Sequence, residues 1–313
     1  MNANPQPRAN RTTPVTPKAL KGVRILSLSL NLPGPAALQR CRSMGARCTK
    51  LEPPAPSQTD NSGGLTGDPM SGYSRTGYQA LQAGLRLLVA DLKTAAGQKT
   101  LQRELSRADV LMTSFRPSAL RKLGLDWPTL QARYPQLSMV AIVGAAGALA
   151  EQPGHDLTYV AQAGLVTGLE LPASLLADMA GALLASEAVL QAVLLQRQSG
   201  RGQRLEVALS DAARHLALPR AWGCMQPDGL LGGGHAGYRL YPCQDGRVAL
   251  AALEPHFAQS LCAVAAIAWS GFAVMQEAAT HRQLASFVAS RTCAELDALA
   301  AAHDIPLHTI LNK

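Results

Sequence analysis

The groups best suited to chemistry in this chain are the tripeptide Gly154-His155-Asp156, the carboxylate Asp178 further along, and Leu253-Glu254-Pro255. An imidazole with two carboxylates is enough to take a proton from a carbon acid and to return one. Returning it to the opposite face of the carbon needs an acid across from the base. A His and an Asp can exchange those roles if both titrate near neutrality, so Asp178 must be partly desolvated to raise its pKa. Each residue also has a plainer reading. His155 can simply begin a helix, and Asp156 can cap it. Asp178 can be a first-turn carboxylate favoured by the helix dipole. Glu254 before Pro255 is a common helix start. The remaining histidines, including His215, His256, His281, His303 and His308, have no ligand spacing, so no metal site is expected.

The elements that must position these residues follow from periodicity. An apolar run over 24–30 ends at Asn31-Leu32-Pro33-Gly34-Pro35, which forces a turn, and 36–44 has helical character. Gly45 stops that helix, and 47–52 is the next strand. This βαβ unit predicts a parallel sheet. Residues 53–78 are rich in Pro, Gly, Ser, Asp and Thr and are predicted to form a long loop. Strands are then predicted over 86–92, 110–113, 137–143 and 203–209. Helices are predicted over 95–107, 117–123, 127–134, 156–168 and 176–198, which puts His155 and Asp178 at two successive helix starts. Ser210-Asp211 is the expected N-cap of a further helix. The fold class is therefore α/β, with a Rossmann-like large domain at 20–220. No G-x-G-x-x-G follows the first strand, so a nicotinamide cofactor is not expected. A Gly-rich segment from residue 222 includes Gly232-Gly233-Gly234. A hairpin at 238–252 and helices up to 302 follow, forming a smaller α/β domain at 221–313.

Composition narrows the class. With 313 residues and 47% hydrophobic content, the chain can bury a sizeable core without covalent staples. Only 4% is aromatic, while Ala and Leu abound, which favours helix-rich α/β architecture over a β-sandwich. Six cysteines without a C-x-x-C pair argue against zinc and against a disulfide scaffold, and fit reduced thiols in a cytoplasmic protein. Residues 1–19 lack the apolar core of a signal peptide and are expected to be a disordered tail. The apolar run at 175–195 has membrane-like length, but Asp178, Glu187 and Gln191 interrupt it, so it is expected to be a core helix. The net charge of +8 is scattered, with no nucleic-acid-binding motif, so no nucleic acid partner is expected.

The segments Leu20-Lys21-Gly22-Val23-Arg24-Ile25-Leu26, Met44-Gly45-Ala46, Lys50-Leu51-Glu52-Pro53, Ala90-Asp91-Leu92-Lys93, Phe115-Arg116-Pro117 and Gly200-Arg201-Gly202-Gln203 occur in an order that resembles the family III CoA-transferases (CaiB/BaiF). That family also contains the α-methylacyl-CoA racemases. The resemblance implies a two-domain fold, an interlocked homodimer, an acyl-CoA substrate and no tightly bound cofactor, coenzyme A entering as part of the substrate. By the same resemblance His155 and Asp178 carry protons to and from the α-carbon of the thioester, and Glu254 orients His155. Arg116 is the implied phosphate-binding arginine, with Lys50 and Arg86 as further candidates, and a basic cleft suits the sign of the net charge. In the transferases an aspartate matching Asp178 attacks the acyl-CoA instead. Those enzymes generally lack a His at the place of His155, which favours the racemase. The triple glycine resembles the loop that closes over the transferase aspartate, so that reading stays open, as does a catalytically degenerate CoA-binding relative. Three departures accompany the resemblance. The family's cation run appears here as Gln82-Ala83-Gly84-Leu85-Arg86, short of two charges; the interval between His155 and Asp178 is shorter than expected for a racemase; and the chain stops at Lys313, where members of the family normally continue.

Overall fold

The computed structural model describes residues 17–55 and 66–312. The chain divides into two compact units, Met1–Leu216 and Ala217–Lys313. The tail expected at 1–19 lies outside the described residues as far as residue 16, and so does the middle of the expected loop, at 56–65.

The first unit contains the strands β1 (Arg24–Ser27), β2 (Arg47–Glu52), β3 (Arg86–Val89), β4 (Val110–Thr113), β5 (Ser138–Val143) and β6 (Arg204–Ala208). Its helices are α1 (Pro33–Ser43), α2 (Met70–Tyr73), α3 (Arg75–Gln82), α4 (Ala95–Leu105), α5 (Pro117–Lys122), α6 (Trp127–Arg133), α7 (Asp156–Gln162), α8 (Leu176–Ser199) and α9 (Leu209–Leu216). All six strands are parallel, in the order β3-β2-β1-β4-β5-β6. The parallel sheet of the expected Rossmann-like domain is thus observed, and its strand order makes it doubly wound.

Successive strand residues face opposite sides of this sheet. Ile25, Val110, Met112, Val140 and Ile142 pack in one core with residues of α1, α7, α8 and α9. Their neighbours Leu26, Leu111, Met139 and Ala141 form the other core with residues of α4, α5 and α6. Burial on both faces explains why β4 and β5 are apolar apart from Thr113 and Ser138 at their ends. α8 is long and apolar enough to cross a membrane. However, Ala177, Gly181, Ala182, Ala185, Ala188, Val189, Ala192 and Val193 on it are buried in the unit's core. Gly181 permits the close approach of α9, since a Cβ there would stand 2.2 Å from Leu209 Cδ2.

The second unit contains α10 (Leu218–Ala221), β7 (Tyr238–Pro242), β8 (Gly246–Ala251), α11 (Pro255–Val264), α12 (Ala278–Ala289), α13 (Cys293–His303) and β9 (Leu307–Leu311). The expected hairpin is β7–β8, and β9 pairs antiparallel to β8 to complete a three-stranded sheet. The core of this unit gathers Tyr241, Val248 and Leu250 with Leu261, Met275, Leu284 and Leu296.

Several local expectations are corrected. The expected loop at 53–78 contains α2 and the start of α3, where the Ser74 side chain accepts a hydrogen bond from Gly77 N–H and so caps α3. α7 stops at Gln162, and two residues later Gly164 takes a left-handed conformation (φ 75°). α9 begins at Leu209, directly after β6, so Ser210 lies inside the helix and does not cap it.

Candidate active site

In a doubly wound sheet the loops at the carboxyl ends of the strands part where the strand order reverses, leaving a crevice. Here that point lies between β1 and β4. The crevice is a cleft of about 460 Å³ wholly within the first unit. Leu30 and Asn31 line it after β1, Ser114, Phe115 and Arg116 after β4, and Val143 and Gly144 at the end of β5. His155, Asp156, Tyr159 and Asp178 complete the wall.

His155 is the N-cap of α7, in extended conformation with an exposed ring. Its backbone N–H donates to Thr158 Oγ1 at 3.1 Å, which fixes the entry to the helix. Asp178 stands in the first turn of α8, half-buried. Its backbone N–H donates to Asp156 Oδ1 at 2.9 Å, and its carboxylate accepts no hydrogen bond among the described residues. Asp156 therefore caps α8 and not its own helix, contrary to the sequence expectation. At the first position of α7 it follows the cap, and its buried carboxylate reaches the neighbouring helix. Burial is the main cause that pushes the Asp178 carboxyl up from 3.8 to about 6. The adjacent Asp156 charge adds to the rise, and His155 opposes it.

Tyr159, one turn after His155, was not singled out by sequence reasoning. Its i+4 spacing from His155 on one helix face was the available signal. It is 8% exposed, and its hydroxyl is held up above 10 by burial and by the Asp178 charge, with Arg116 acting the other way. A Cβ at Gly144 would stand 2.1 Å from Tyr159 Oη, and one at Gly154 would stand 2.5 Å from it. The glycine of Gly154-His155-Asp156 is thus required by the ring that packs over it.

The three cations expected to bind phosphate are scattered. Arg116, the N-cap of α5, is exposed at the cleft wall and has no carboxylate partner among the described residues. Lys50 is fully buried, 2.8 Å from Glu52 Oε1 and paired also with Asp68. Asp68 in turn accepts N–H bonds from Asn31 and Met70, each at 2.9 Å. Lys50 therefore ties β2 to α2 and to the loop after β1, and its ammonium does not reach the cleft. Arg86 opens β3 and donates to Glu104 Oε2 at 2.7 Å. It lies at the amino ends of the strands, opposite the cleft, so both cations are removed from the expected phosphate set. Glu254 belongs to the second unit, where it is the N-cap of α11.

A doubly wound sheet with a carboxyl and an imidazole beside its switch point has its ligand crevice where such folds bind small molecules. CoA-transferase family III matches residues 20–312, and the chain belongs to that family. It is 28% identical over 261 residues to human alpha-methylacyl-CoA racemase, covering 78% of this chain and 64% of that protein. It is 28% identical over 266 residues to the succinate–glutarate CoA-transferase of Agrobacterium fabrum, covering 79% of this chain and 66% of that one. The chain thus spans slightly less than two thirds of either relative. A hypothetical protein of Mycobacterium tuberculosis superposes with a TM-score of 0.76 at 25% identity, covering 92% of this chain and 83% of the other. A CaiB/BaiF family protein from Brucella suis shares the fold, with a TM-score of 0.74.

Proposed function

We propose that the chain acts on a 2-methylacyl-CoA and inverts its α-carbon by 1,1-proton transfer through an enolate. The observation that carries this reading is Asp178, a carboxyl raised to about 6 that shares one cleft with the His155 imidazole. A carboxyl raised to about 6 can hold or release a proton at working pH, and the imidazole across the cleft is the group with which it can exchange the α-proton. Starting from one enantiomer, neutral His155 takes the proton and the protonated Asp178 carboxyl gives one to the other face. The reverse direction exchanges the roles. Arg116 is the proposed anchor for a CoA phosphate, its planar fork suited to paired oxygens. Glu254 keeps its proposed role of orienting the imidazole. A homodimer is retained from the resemblance and a cytoplasmic location from the cysteine pattern, and exposed Leu183 and Leu194 on α8 give the dimer an apolar face.

A second reading is CoA transfer, with Asp178 as the nucleophile that forms a mixed anhydride and releases CoA thiolate. The Asp178 carboxylate, which accepts no hydrogen bond among the described residues, and the left-handed turn at Gly233 (φ 117°) favour it. One experiment separates the two. The protein is incubated with a chiral 2-methylacyl-CoA in D2O, with and without a free acceptor carboxylate. Deuterium at the α-carbon without acceptor supports the racemase. Exchange that depends on the acceptor, together with hydroxylamine trapping at Asp178, supports the transferase.

A further inference from the structure

In the second unit, the turn between β7 and β8 carries Cys243-Gln244-Asp245 against the start of α13, where Cys293 is the first helical residue. Cys243 Sγ and Cys293 Sγ are 3.5 Å apart although 50 residues separate them in sequence. The two sulfurs and an Asp245 carboxylate oxygen all lie within 4.8 Å of one another. We propose that these three side chains form a binding site for a thiophilic divalent cation, of which zinc is the type.

The backbone builds this cluster. Asp245 Oδ1 accepts the Cys293 backbone N–H at 2.7 Å, which aims the carboxylate at the helix start. Oδ2 accepts no hydrogen bond and the carboxylate has no salt bridge among the described residues, so lone pairs remain for a ligand. Arg291, two residues before Cys293, is committed elsewhere: it stacks over the Phe287 ring and donates to Phe287 O. Gly246 makes room for the buried sulfur, since a Cβ there would stand 3.0 Å from Cys293 Sγ. Two sulfurs on one tetrahedral zinc, each at about 2.3 Å, stand about 3.8 Å apart. The observed 3.5 Å is near that spacing and far from the roughly 2.0 Å of a disulfide.

Two soft thiolates and one carboxylate select zinc or its congeners over magnesium and calcium, which take oxygen ligands. Three protein ligands leave a fourth position for water. Binding converts two thiols to thiolates and releases two protons, so affinity rises with pH. The bound ion would pin the β7–β8 turn to α13. No C-x-x-C spacing announces the site, which is why the sequence reading expected no metal.

The test uses the full chain, reduced and freed of metal, titrated with cobalt(II). The expected signal is thiolate-to-cobalt charge transfer with tetrahedral visible bands, saturating at one equivalent and displaced by zinc. C243S and C293S should each weaken zinc binding by at least about 100-fold, beyond the roughly 10–100-fold effect of losing an outer partner. D245N should weaken it as well, while C224S, a half-buried thiol of the same unit, should leave it unchanged. In unmutated protein, zinc should slow alkylation of Cys243 and Cys293 selectively, a readout that does not depend on variant folding. Absence of the charge-transfer band, its persistence in both serine variants, or a Cys243–Cys293 disulfide in its place would overturn the proposal.

Discussion

Replacing Asp178 with Asn should make the protein more stable at neutral pH while abolishing its chemistry. The carboxyl titrates at about 6 in the folded chain against 3.8 for the ordinary group, with burial as the chief cause. Each tenfold change in acidity is about 1.4 kcal/mol, so ionised Asp178 opposes folding by up to about 3 kcal/mol. Below pH 3.8 the group is neutral in both folded and unfolded chains, and it costs nothing. Between 3.8 and about 6 the unfolded chain loses its proton first, so stability falls as pH rises, and the loss is complete above 6. Asn keeps the shape, and no side-chain hydrogen bond is lost, because the carboxylate accepts none among the described residues. Urea unfolding of D178N and the unmutated protein at pH 7.5 and pH 4 should show a gain of about 1–3 kcal/mol at the higher pH, shrinking toward zero at the lower. A destabilised D178N, or a difference that does not change with pH, would refute the reasoning.

Lys50→Met should destabilise by about 3–5 kcal/mol, because it strands buried Glu52 and Asp68 without their cation; urea unfolding checks this, and a loss below about 1 kcal/mol would contradict it. Gly144→Ala should lower activity, and Tyr159→Phe should restore more of it there than in Gly154→Ala. At Gly144 the hydroxyl is the near atom, whereas at Gly154 ring carbons also lie at 2.7 and 2.8 Å. Asp156→Asn removes a neighbouring charge that raises Asp178, so the limb of the pH–rate profile that Asp178 sets near pH 6 should move to lower pH: the alkaline limb in the direction where Asp178 donates, the acid limb where it accepts. Arg116→Ala should raise KM for acyl-CoA with a smaller change in kcat, measured by steady-state kinetics against CoA esters and their dephospho analogues.

Much of the first unit was legible because its central strands β4 and β5 are buried on both faces. Val110-Leu111-Met112-Thr113 forms a strand over the very residues expected, and 47–52 likewise became β2. Local signals failed where structure depends on distant partners. β9 forms because β8 offers it an edge, and Leu307-His308-Thr309 gives little local sign of that. Ser74 starts α3 inside a segment whose Gly and Ser content read as loop. At the site, His155 and Asp178, at two successive helix starts, line one cleft. The buried triad of Lys50, Glu52 and Asp68 was hidden because Asp68 lies 18 residues from Lys50. Asp156 capping α8 across 22 residues was hidden for the same reason. Periodicity reports which face is buried, and it does not report which polar side chains meet there.

The most direct test of the proposed chemistry follows α-deuterium uptake and optical inversion together, from each enantiomer of one 2-methylacyl-CoA, in the unmutated protein, H155A and D178N. Both single variants should lose inversion by several orders of magnitude while still binding the thioester. Inversion at the unmutated rate in either variant would contradict a two-carrier proton transfer between His155 and Asp178.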